Sequence, residues 1–582
     1  MRIGIGQINP TVGDLKGNLE KIKLFVQEAE KKEVDLLCFP ELALTGCPLE
    51  ALLFNASFLR DNSLALQELV SFTSDKEMVV IVGYVDCSDG IYDAAAVIYK
   101  GEIKGIYKKI HITNSETFDE ERYFDRGNSY MLFFIKGKKV AITIGQEIFL
   151  PLLPITTLSL WGTELLINLN ASPYYIGKRE QRERFLSFLA KEHSLPLVFV
   201  NSAGGQDELV FEGSSVIVNH KGEILCRAKA FHEDLVVADL EDFRARVELP
   251  SFFLKGGKPP TVCDGVFTGA PKILKVTDTP PLHKRSSTQN TLTPPLPLIE
   301  EVYEALVVGT RDYVRKNGFR KVVIGLSGGI DSSLVASIAV DALGKENVIG
   351  VFMPSQFTSE RSKRDVLKLV HNLGIELKEI SIEPIFETYI KVLQPHFVDR
   401  KIDVTEENIQ ARIRSTILMA LSNKFGWLVL STGNKSELAC GYATLYGDLS
   451  GGLAVIKDIP KSLVYELSKW RNSKAGFDLI PRSILEKEPS AELRPGQKDT
   501  DTLPPYEVLD PIIRLYVEEG ASFEEIVAAG YEIETVEKVM EMVATNEFKR
   551  RQAPPGIKIT LRSLGREWRL PITNYYRKPL YG

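Results

Sequence analysis

One loop constrains the fold of this chain more than any other feature. The run Leu326–Ser333 contains two adjacent glycines, three serines and one aspartate. It follows the apolar segment Lys321–Gly325 and precedes the apolar segment Leu334–Val340. Between a strand and a helix, the glycines let the backbone come close to a ligand, and the N-terminus of the helix adds positive potential. The loop therefore predicts a phosphate site at the end of a strand.

The composition of this loop separates it from another common phosphate loop. It lacks the lysine and the glycine spacing of a Walker A motif. The run Ser327–Ser333 instead resembles the SGGxDSS loop of the ATP pyrophosphatase group, whose members adenylate an oxygen of an acceptor and release pyrophosphate. The alternative is a tight connection without a ligand, and the added aspartate favours nucleotide binding.

Length and charge limit the classes of function. The chain has 582 residues, of which 25% are charged, and a net charge of −6. A chain of this length is expected to form several domains. A mildly acidic chain also lacks the extended basic surface that a general nucleic-acid binder needs. No apolar run approaches the ~20 residues that a membrane-spanning helix needs. We therefore expect small-molecule substrates, with no nucleic-acid or membrane partner.

The cysteines indicate a reducing environment. The six cysteines are scattered and form no CxxC pair, which argues against a zinc ribbon or a disulfide scaffold. The segment Met1–Gln7 is predicted to be a strand and not a signal peptide. Together these features predict a cytoplasmic protein.

Alternating segments predict two α/β domains. In residues 1–260, strand-like segments such as Arg2–Ile8 alternate with helical patterns such as Asn18–Lys31. Residues 261–297 are rich in Gly, Pro, Ser and Thr and are predicted to be a linker, or an arm that crosses to another surface. In residues 298–582, a helix, a strand, the glycine-rich loop and a further strand predict a doubly wound parallel sheet.

Separate motifs beyond the loop resemble glutamine-dependent NAD synthetases. They occur in one order across residues 298–582: Glu406–Arg414, Ser431–Glu437, Gly441–Asp448, Ile456–Lys461, Pro489–Arg494, Asp499–Asp501 and Lys549–Gln552. In that family this domain has a fold of the adenine nucleotide alpha hydrolase type. It activates the carboxylate of deamido-NAD with ATP, and ammonia then displaces AMP. The resemblance implies deamido-NAD, ATP and ammonia as substrates, Mg²⁺ as cofactor, and a homo-oligomer paired through these domains.

The resemblance also implies roles for individual residues. Asp331 and Glu437 are expected to hold the metal. The residues expected to bind ATP are Ser327, Gly328, Gly329, Ile330, Asp331, Ser332, Ser333, Thr432, Lys461 and Ser490. Those expected to bind deamido-NAD or its activated carboxylate are Asn408, Arg412, Lys435, Glu437, Asp448 and Lys549.

Alternatives stay open for several of these charged residues. Arg412 and Arg414 also fit a solvated helix face, and the run Lys549–Arg551 also fits a surface charge cluster. Gln356 stands where the family usually has an arginine. This difference leaves one phosphate or dimer contact at that position in doubt.

Residues 1–260 resemble the nitrilase-type glutaminase domain of the same family, which folds as an αββα sandwich. The matching segments are Phe39–Leu42, Tyr107–Ile112, Phe118–Phe124, Asn168–Tyr174 and Gly204–Phe211. By this resemblance, Glu41 is the general base, Lys109 stabilises the oxyanion, and Ser172 and Lys178 belong to a glutamine pocket.

A glycine stands at the position of the glutaminase nucleophile. The family has Ile-Cys-Glu-Asp after an apolar strand, whereas this chain has Ile144-Gly145-Gln146-Glu147. Glycine has no side chain and cannot form a thioester. Cys38 lies inside an apolar strand, where a thiol is usually inert packing, and Cys47 lacks the position at a strand end. The catalytic glutamate and lysine are therefore predicted to be remnants in a retired site.

Three hypotheses concern the source of nitrogen. In the first, the protein makes NAD from free ammonia or from ammonia supplied by another protein. In the second, it hydrolyses glutamine through Cys47 or another route. In the third, the first domain is a non-catalytic module for glutamine sensing or scaffolding. Enzymes of tRNA thiolation and guanylate synthesis share the loop, but the absent CxxC pair, the acidic charge and the motifs favour NAD synthesis.

Overall fold

The structure is a computed structural model that describes residues 1–114, 117–150, 153–243, 272–278 and 290–576. The chain divides into two compact units, one of residues 1–206 and 210–296, the other of residues 297–582 and the short segment 207–209. The predicted boundary at residue 260 and most of the predicted linker lie outside the described residues. Within the described part of the chain, no helix is long and apolar enough to cross a membrane.

Two sheets form the centre of the first unit. Its strands are β1 Arg2–Gln7, β2 Leu36–Cys38, β3 Val79–Asp86, β4 Tyr92–Tyr99, β5 Glu102–Lys108, β6 Met131–Ile135, β7 Lys138–Ile144, β8 Leu165–Asn170, β9 Leu197–Asn201, β10 Ala203–Gln206, β11 Leu209–Glu212, β12 Val216–Val218, β13 Ile224–Arg227, β14 Asp234–Asp239 and β15 Lys272–Lys275. One sheet has the order β14-β1-β2-β3-β4-β5, the other has the order β13-β12-β9-β8-β7-β6-β15, and β10 pairs with β11. The predicted linker thus contains a strand, β15, which pairs in parallel with β6.

Helices cover the sheets of the first unit. They are α1 Leu15–Lys31, α2 Ala56–Phe72, α3 Leu153–Leu160 and α4 Lys178–His193. Because successive strand residues point to opposite faces, Val79 and Ile81 of β3 join the core between the two sheets, whereas Val80 and Val82 join the core under α1 and α2. This layering confirms the predicted αββα sandwich.

One parallel sheet forms the centre of the second unit. Its strands are β16 Val322–Leu326, β17 Val348–Phe352, β18 Glu376–Glu379, β19 Leu428–Ser431 and β20 Leu453–Ala454. Their order is β18-β17-β16-β19-β20, and every pairing is parallel. This arrangement confirms the predicted doubly wound parallel sheet.

The helices of the second unit lie between and beyond these strands. They are α5 Leu298–Lys316, α6 Ile330–Leu343, α7 Glu360–Leu373, α8 Glu383–Leu393, α9 Val404–Phe425, α10 Lys435–Cys440, α11 Lys461–Ala475, α12 Arg482–Leu485, α13 Tyr506–Ile513, α14 Phe523–Ala528, α15 Ile533–Thr545 and α16 Glu547–Arg550. Both α6 and α9 pack on the central strand β16.

The glycine-rich loop joins β16 to α6. Gly328 has a φ of +76°, and a Cβ atom at this position would lie 2.8 Å from the carbonyl oxygen of Ser362, so only glycine fits without a shift of the backbone. Ser333 Oγ donates a hydrogen bond to the carbonyl oxygen of Gly329 at 2.7 Å, which fixes the first turn of α6. The loop therefore lies at the carboxyl edge of the sheet, where ligands of such folds bind.

Candidate functional site

A cavity of about 440 Å³ lies in the second unit at the carboxyl ends of β16, β17 and β19. The predicted site residues that line it are Ser327, Gly329, Ile330, Asp331, Ser332, Asn408, Thr432, Glu437, Asp448, Lys461, Ser490 and Lys549. Parallel strands end at one edge of a sheet, so residues that are distant in sequence meet there. The structure thus brings together most of the residues predicted to bind ATP and deamido-NAD.

Two carboxylates that line the cavity share one lysine. Lys461 Nζ lies 2.5 Å from Asp331 Oδ2 and 3.7 Å from Glu437 Oε1. Asn434 Nδ2 donates to Asp331 Oδ1 at 3.0 Å, and Asn434 Oδ1 accepts from the backbone N–H of Glu437 at 3.0 Å. Burial and the nearby charge of Asp331 raise the pKa of Glu437 to about 8. The two acids are therefore not fully compensated, and a further cation would relieve their repulsion.

Four predicted residues lie outside the lining of this cavity. Gly328 and Ser333 stabilise the conformation of the loop, Gly328 through its positive φ and Ser333 through its hydrogen bond to the carbonyl oxygen of Gly329. Arg412 is exposed, and its Nε donates to the carbonyl oxygen of Leu445 at 3.2 Å. Arg412 thus lies at an exposed position outside the cavity lining, and its contact with deamido-NAD stays a prediction.

Lys435 is a buried structural cation. Its Nζ lies 3.0 Å from Asp458 Oδ1 and 2.7 Å from Glu518 Oε1, and it donates to Thr560 Oγ1 at 2.5 Å and to the carbonyl oxygen of Arg562 at 2.9 Å. All of its donors are thus used within the protein. This corrects the predicted contact of Lys435 with deamido-NAD, because its charge fixes the start of α10 instead.

Sequence reasoning gave no role to several residues that line the cavity. Asp499 accepts from Tyr506 Oη at 2.8 Å, and burial raises its pKa. Glu492 accepts from Lys487 Nζ at 2.8 Å and from Ser362 Oγ at 2.9 Å. Asp499 and Glu492 lie inside two of the motifs that resemble NAD synthetases, so the sequence could have indicated a role for them. Lys487 lies in no such motif.

In the first unit, Lys109 lies among three carboxylates. Its Nζ is 2.8 Å from Glu41 Oε1, 2.8 Å from Glu120 Oε1 and 3.4 Å from Asp93 Oδ2. Burial and the charge of Glu41 raise the pKa of Asp93. Burial alone would raise the pKa of Glu41 too, but the charge of Lys109 together with hydrogen bonds from Asp93, Lys109 and the backbone N–H of Ala171 lowers it. Glu41 and Lys109 are therefore a buried ion pair.

Gly145 directly follows β7 and faces this ion pair. A Cβ atom built on Gly145 would lie 2.6 Å from Lys109 Nζ and 2.7 Å from Glu41 Oε1. The carbonyl oxygen of Gly145 accepts from Asn170 Nδ2 at 2.8 Å and from Asn168 Nδ2 at 3.2 Å, so its backbone is held in place. A side chain at position 145 would point directly at the glutamate and the lysine.

Neither nearby cysteine has the properties of an activated nucleophile. Burial raises the pKa of the Cys38 thiol on β2. Burial and the carboxylates of Glu41, Asp93 and Glu120 raise the pKa of Cys47 well above its usual value. Both thiols therefore stay protonated at neutral pH, and the thiolate is the reactive form.

The two predicted glutamine-pocket residues follow β8. The backbone N–H of Ser172 donates to Asn201 Oδ1 at 2.9 Å, while the buried Ser172 Oγ has no hydrogen-bond partner among the described residues. Lys178 Nζ donates to the carbonyl oxygen of Pro173 at 2.5 Å and lies 5.2 Å from the ring centre of Tyr175. Of the two, Ser172 retains a buried hydroxyl that a ligand can satisfy.

Comparison with known proteins extends over both units. A carbon-nitrogen hydrolase family model matches residues 2–246, and an NAD synthase family model matches residues 302–553. The chain is 48% identical to a glutamine-dependent NAD(+) synthetase of Thermotoga maritima, with all of both chains covered. It is 44% identical to the synthetase of that name from Aquifex aeolicus, with 99% of this chain and 100% of the relative covered.

A solved structure gives the same result. The glutamine-dependent NAD+ synthetase of Acinetobacter baumannii, solved in complex with ADP, is 37% identical, and the match covers 98% of each chain with a TM-score of 0.73. The matches extend over almost the whole chain and join the two units in the same order. The chain therefore belongs to the glutamine-dependent NAD(+) synthetase family, whose members are carbon-nitrogen ligases.

Proposed function

We propose that this protein amidates deamido-NAD to NAD with ATP, and that the nitrogen comes from ammonia and not from glutamine hydrolysed in its first unit. Gly145 carries the proposal on the nitrogen source. A side chain at this position would point at Glu41 and Lys109. Because glycine has no side chain, the position offers no atom that can attack an amide. Cys47 does not replace it, because its raised pKa leaves little thiolate.

The chemistry explains the residues around the cavity. A carboxylate becomes an electrophile only when one of its oxygens becomes a leaving group. In the proposed reaction, a carboxylate oxygen of deamido-NAD attacks the α-phosphorus of ATP, and pyrophosphate leaves. The nitrogen of ammonia then attacks the carbonyl carbon, AMP leaves and a proton is released. Lys461 and the backbone N–H groups of the loop 327–333 would offset the negative charge that collects on the pyrophosphate.

Asp331 and Glu437 suit a magnesium ion in this reaction. Mg²⁺ is usually held by one or two carboxylates together with substrate phosphates. Both acids lie near Lys461 Nζ, and burial together with the charge of Asp331 raises the pKa of Glu437. Bound here, Mg²⁺ would neutralise charge on the phosphates.

A second group of residues that line the cavity suits the dinucleotide. Thr444 links two of the expected residues, since its Oγ1 donates to Asn408 Oδ1 at 2.7 Å and its N–H donates to Asp448 Oδ1 at 2.8 Å. Lys549 Nζ donates to the carbonyl oxygens of Gly441 and Ala443 at 2.7 and 2.9 Å. One loop thus holds all three side chains, and we infer that they bind deamido-NAD.

The test is NAD synthesis measured side by side with ammonium and with glutamine. We expect NAD with ammonium, no NAD above background with glutamine alone, and no glutamate release. Equal rates with both donors would refute the proposal. If glutamate is released and Cys47→Ser abolishes the release, the second hypothesis on the nitrogen source is correct.

The buried hydroxyl of Ser172 favours a second role for the first unit, which is binding glutamine without hydrolysis. Calorimetric titration with glutamine tests this role, and the absence of heat would remove it. A partner protein that supplies ammonia, a homo-oligomeric state and a cytoplasmic location stay predictions from the sequence.

A further inference from the structure

One short segment of the second unit borders the cavity along its whole length. Residues 487–493, which we call the cavity segment, all line the cavity. The segment follows α12 and lies outside the helices and strands, so no helical turn or sheet ladder holds its backbone. Its position therefore depends on hydrogen bonds to its own side chains and to neighbouring helices.

Glu492 attaches the cavity segment to the start of α7. Its carboxylate accepts from Ser359 Oγ and Ser362 Oγ, both at 2.9 Å, and from Lys487 Nζ at 2.8 Å. Ser359 is the N-cap residue of α7. The backbone of Ser362 lies against Gly328 of the glycine-rich loop, where a Cβ atom would be 2.8 Å from its carbonyl oxygen. One carboxylate thus links the segment to the helix that packs against the loop.

The next residue attaches the cavity segment to α9. Gln410 Nε2 of α9 donates to the carbonyl oxygen of Leu493 at 2.9 Å, and the N–H of Leu493 donates to Gln497 Oε1 at 2.8 Å. Gln497 Nε2 in turn donates to Glu407 Oε2 of α9 at 3.1 Å. Two neighbouring residues, Glu492 and Leu493, therefore hold the segment on two different helices.

The backbone of Glu492 is strained. Its φ of +49° lies in the left-handed region, which is unfavourable for a residue with a side chain. In this conformation its N–H donates to Ser490 Oγ at 3.2 Å, and Ser490 Oγ donates to the carbonyl oxygen of Gln497 at 2.6 Å. Strained residues persist only where their surroundings fix them, and they cluster at functional sites. The contacts of the Glu492 carboxylate thus fix a backbone that orients the Ser490 hydroxyl.

We propose that Glu492 is a positioning residue, which holds the cavity segment in place and so orients the Ser490 hydroxyl for ATP. The inference rests on the proposed function and on the predicted contact of Ser490 with ATP. Without the Glu492 carboxylate, the segment is attached to α9 alone and spends a smaller fraction of time in place. The apparent affinity for ATP then falls by that fraction, while the rate at saturating ATP is kept.

The test combines steady-state kinetics with ammonium and calorimetric titration of the full chain with ATP and Mg²⁺ in the absence of deamido-NAD. We expect Glu492→Ala to raise the KM and the Kd for ATP about tenfold, with kcat and the KM for deamido-NAD within about twofold of the unchanged protein. Glu492→Gln keeps an acceptor oxygen but loses the ion pair with Lys487, so we expect a smaller loss of about threefold. A merely structural role would lower the free energy of unfolding in urea and leave the Kd for ATP unchanged.

Ser490→Ala tests the route by which Glu492 acts. If Glu492 acts through Ser490, the losses of Glu492→Ala and Ser490→Ala are not additive. The double variant is then expected to bind ATP within about twofold of the weaker single variant. Additive losses would show that Glu492 does not act through Ser490 and would overturn the assignment.

The exposed Glu524 of α14 provides a matched control, and Glu524→Gln is expected to bind ATP like the unchanged protein. Unchanged ATP affinity in Glu492→Ala would also overturn the assignment, and if that variant does not fold, Glu492→Gln decides in its place. If the unchanged protein binds ATP but makes no NAD with ammonium, the proposed function fails and the calorimetric comparison still decides the role of Glu492. If it binds no ATP, both proposals fail.

Discussion

At the scale of single residues, position 145 of the first unit is the one on which the proposed nitrogen source depends. Glu41 and Lys109 remain paired in the core, and the backbone of Gly145 is held by two asparagines. The missing element is one side chain with a nucleophilic atom. Two predictions concern this site and a third concerns Asp331, one of the two proposed metal ligands.

Cys47 is expected to resist alkylation in the folded protein. Its pKa is raised by burial and by three neighbouring carboxylates, so little thiolate forms between pH 7 and 9, and its reactivity should rise only above that range. We expect iodoacetamide at pH 8 to modify Cys47 at least about tenfold more slowly than in the unfolded chain. Mass spectrometry of the modified peptide measures this rate. Fast modification at pH 7 would contradict the raised pKa and favour Cys47 as a nucleophile.

Gly145→Cys is expected to restore glutamate release from glutamine. The new side chain would stand beside Glu41 and Lys109, and the flexible ends of both must shift to make room, because a Cβ at this position would lie 2.6 Å from Lys109 Nζ and 2.7 Å from Glu41 Oε1. The positive φ of +57° at this position would cost the variant about 1–2 kcal/mol of stability. A glutamate assay measures the gain, and Gly145→Ala is the control without a nucleophile. Absence of glutamate release from a folded Gly145→Cys variant would show that other residues also disable the site.

Asp331→Asn is expected to lower the rate of NAD synthesis by about 10²- to 10³-fold, because it removes a charge that holds Lys461 and is proposed to hold Mg²⁺. The exposed Asp399→Asn is the matched control and should leave the rate unchanged. Steady-state kinetics with ammonium measure both, and circular dichroism checks the fold. Near-full turnover of Asp331→Asn would contradict its assignment.

At the scale of elements, the short helix α10 depends on contacts outside itself. It has only six residues, which is too few for a stable helix alone. Asn434 caps its N-terminus, and Lys435 ties it to Asp458 and Glu518. The position of Glu437 in the cavity therefore depends on a buried cation that does not line the cavity.

Lys435→Met is expected to destabilise the protein by about 3–5 kcal/mol, because it leaves Asp458 and Glu518 buried without their counter-charge. Urea unfolding measures the change. Lys424→Met, at an exposed position near the end of α9, is the control and should change stability by less than about 0.5 kcal/mol. A loss below about 1 kcal/mol for Lys435→Met would show that the buried network contributes little.

At the scale of the whole molecule, each unit has its own cores, and the cavity proposed to bind ATP lies in the second. We expect ATP with Mg²⁺ to slow amide hydrogen exchange at the loop 327–333 and at the start of α10, because bound states open less often. Strands β1 and β7 of the first unit should exchange as before. Slower exchange around Gly145 instead would indicate that the nucleotide binds to the first unit, which would contradict the proposed site.

The sequence by itself determined the elements and the family. Helix α1 ends at the predicted residue, Lys31, and begins three residues earlier than predicted because Asp14 caps it by accepting from the N–H of Gly17 at 2.9 Å. Local patterns suffice for such features, and the motifs and the missing cysteine at position 145 are read directly from the order of residues.

Only the tertiary structure decided which charged residues face the cavity. Arg412 and Arg414 stand two positions apart on one helix, so a rotation of about 200° separates them, and packing exposed the first while directing the second to the cavity. Lys435 belongs to a motif, yet its partners come from segments more than 20 residues away, so no local pattern predicted its burial. The reason is physical: sequence spacing fixes neighbours within an element, whereas the burial of a charge depends on which other elements pack against it.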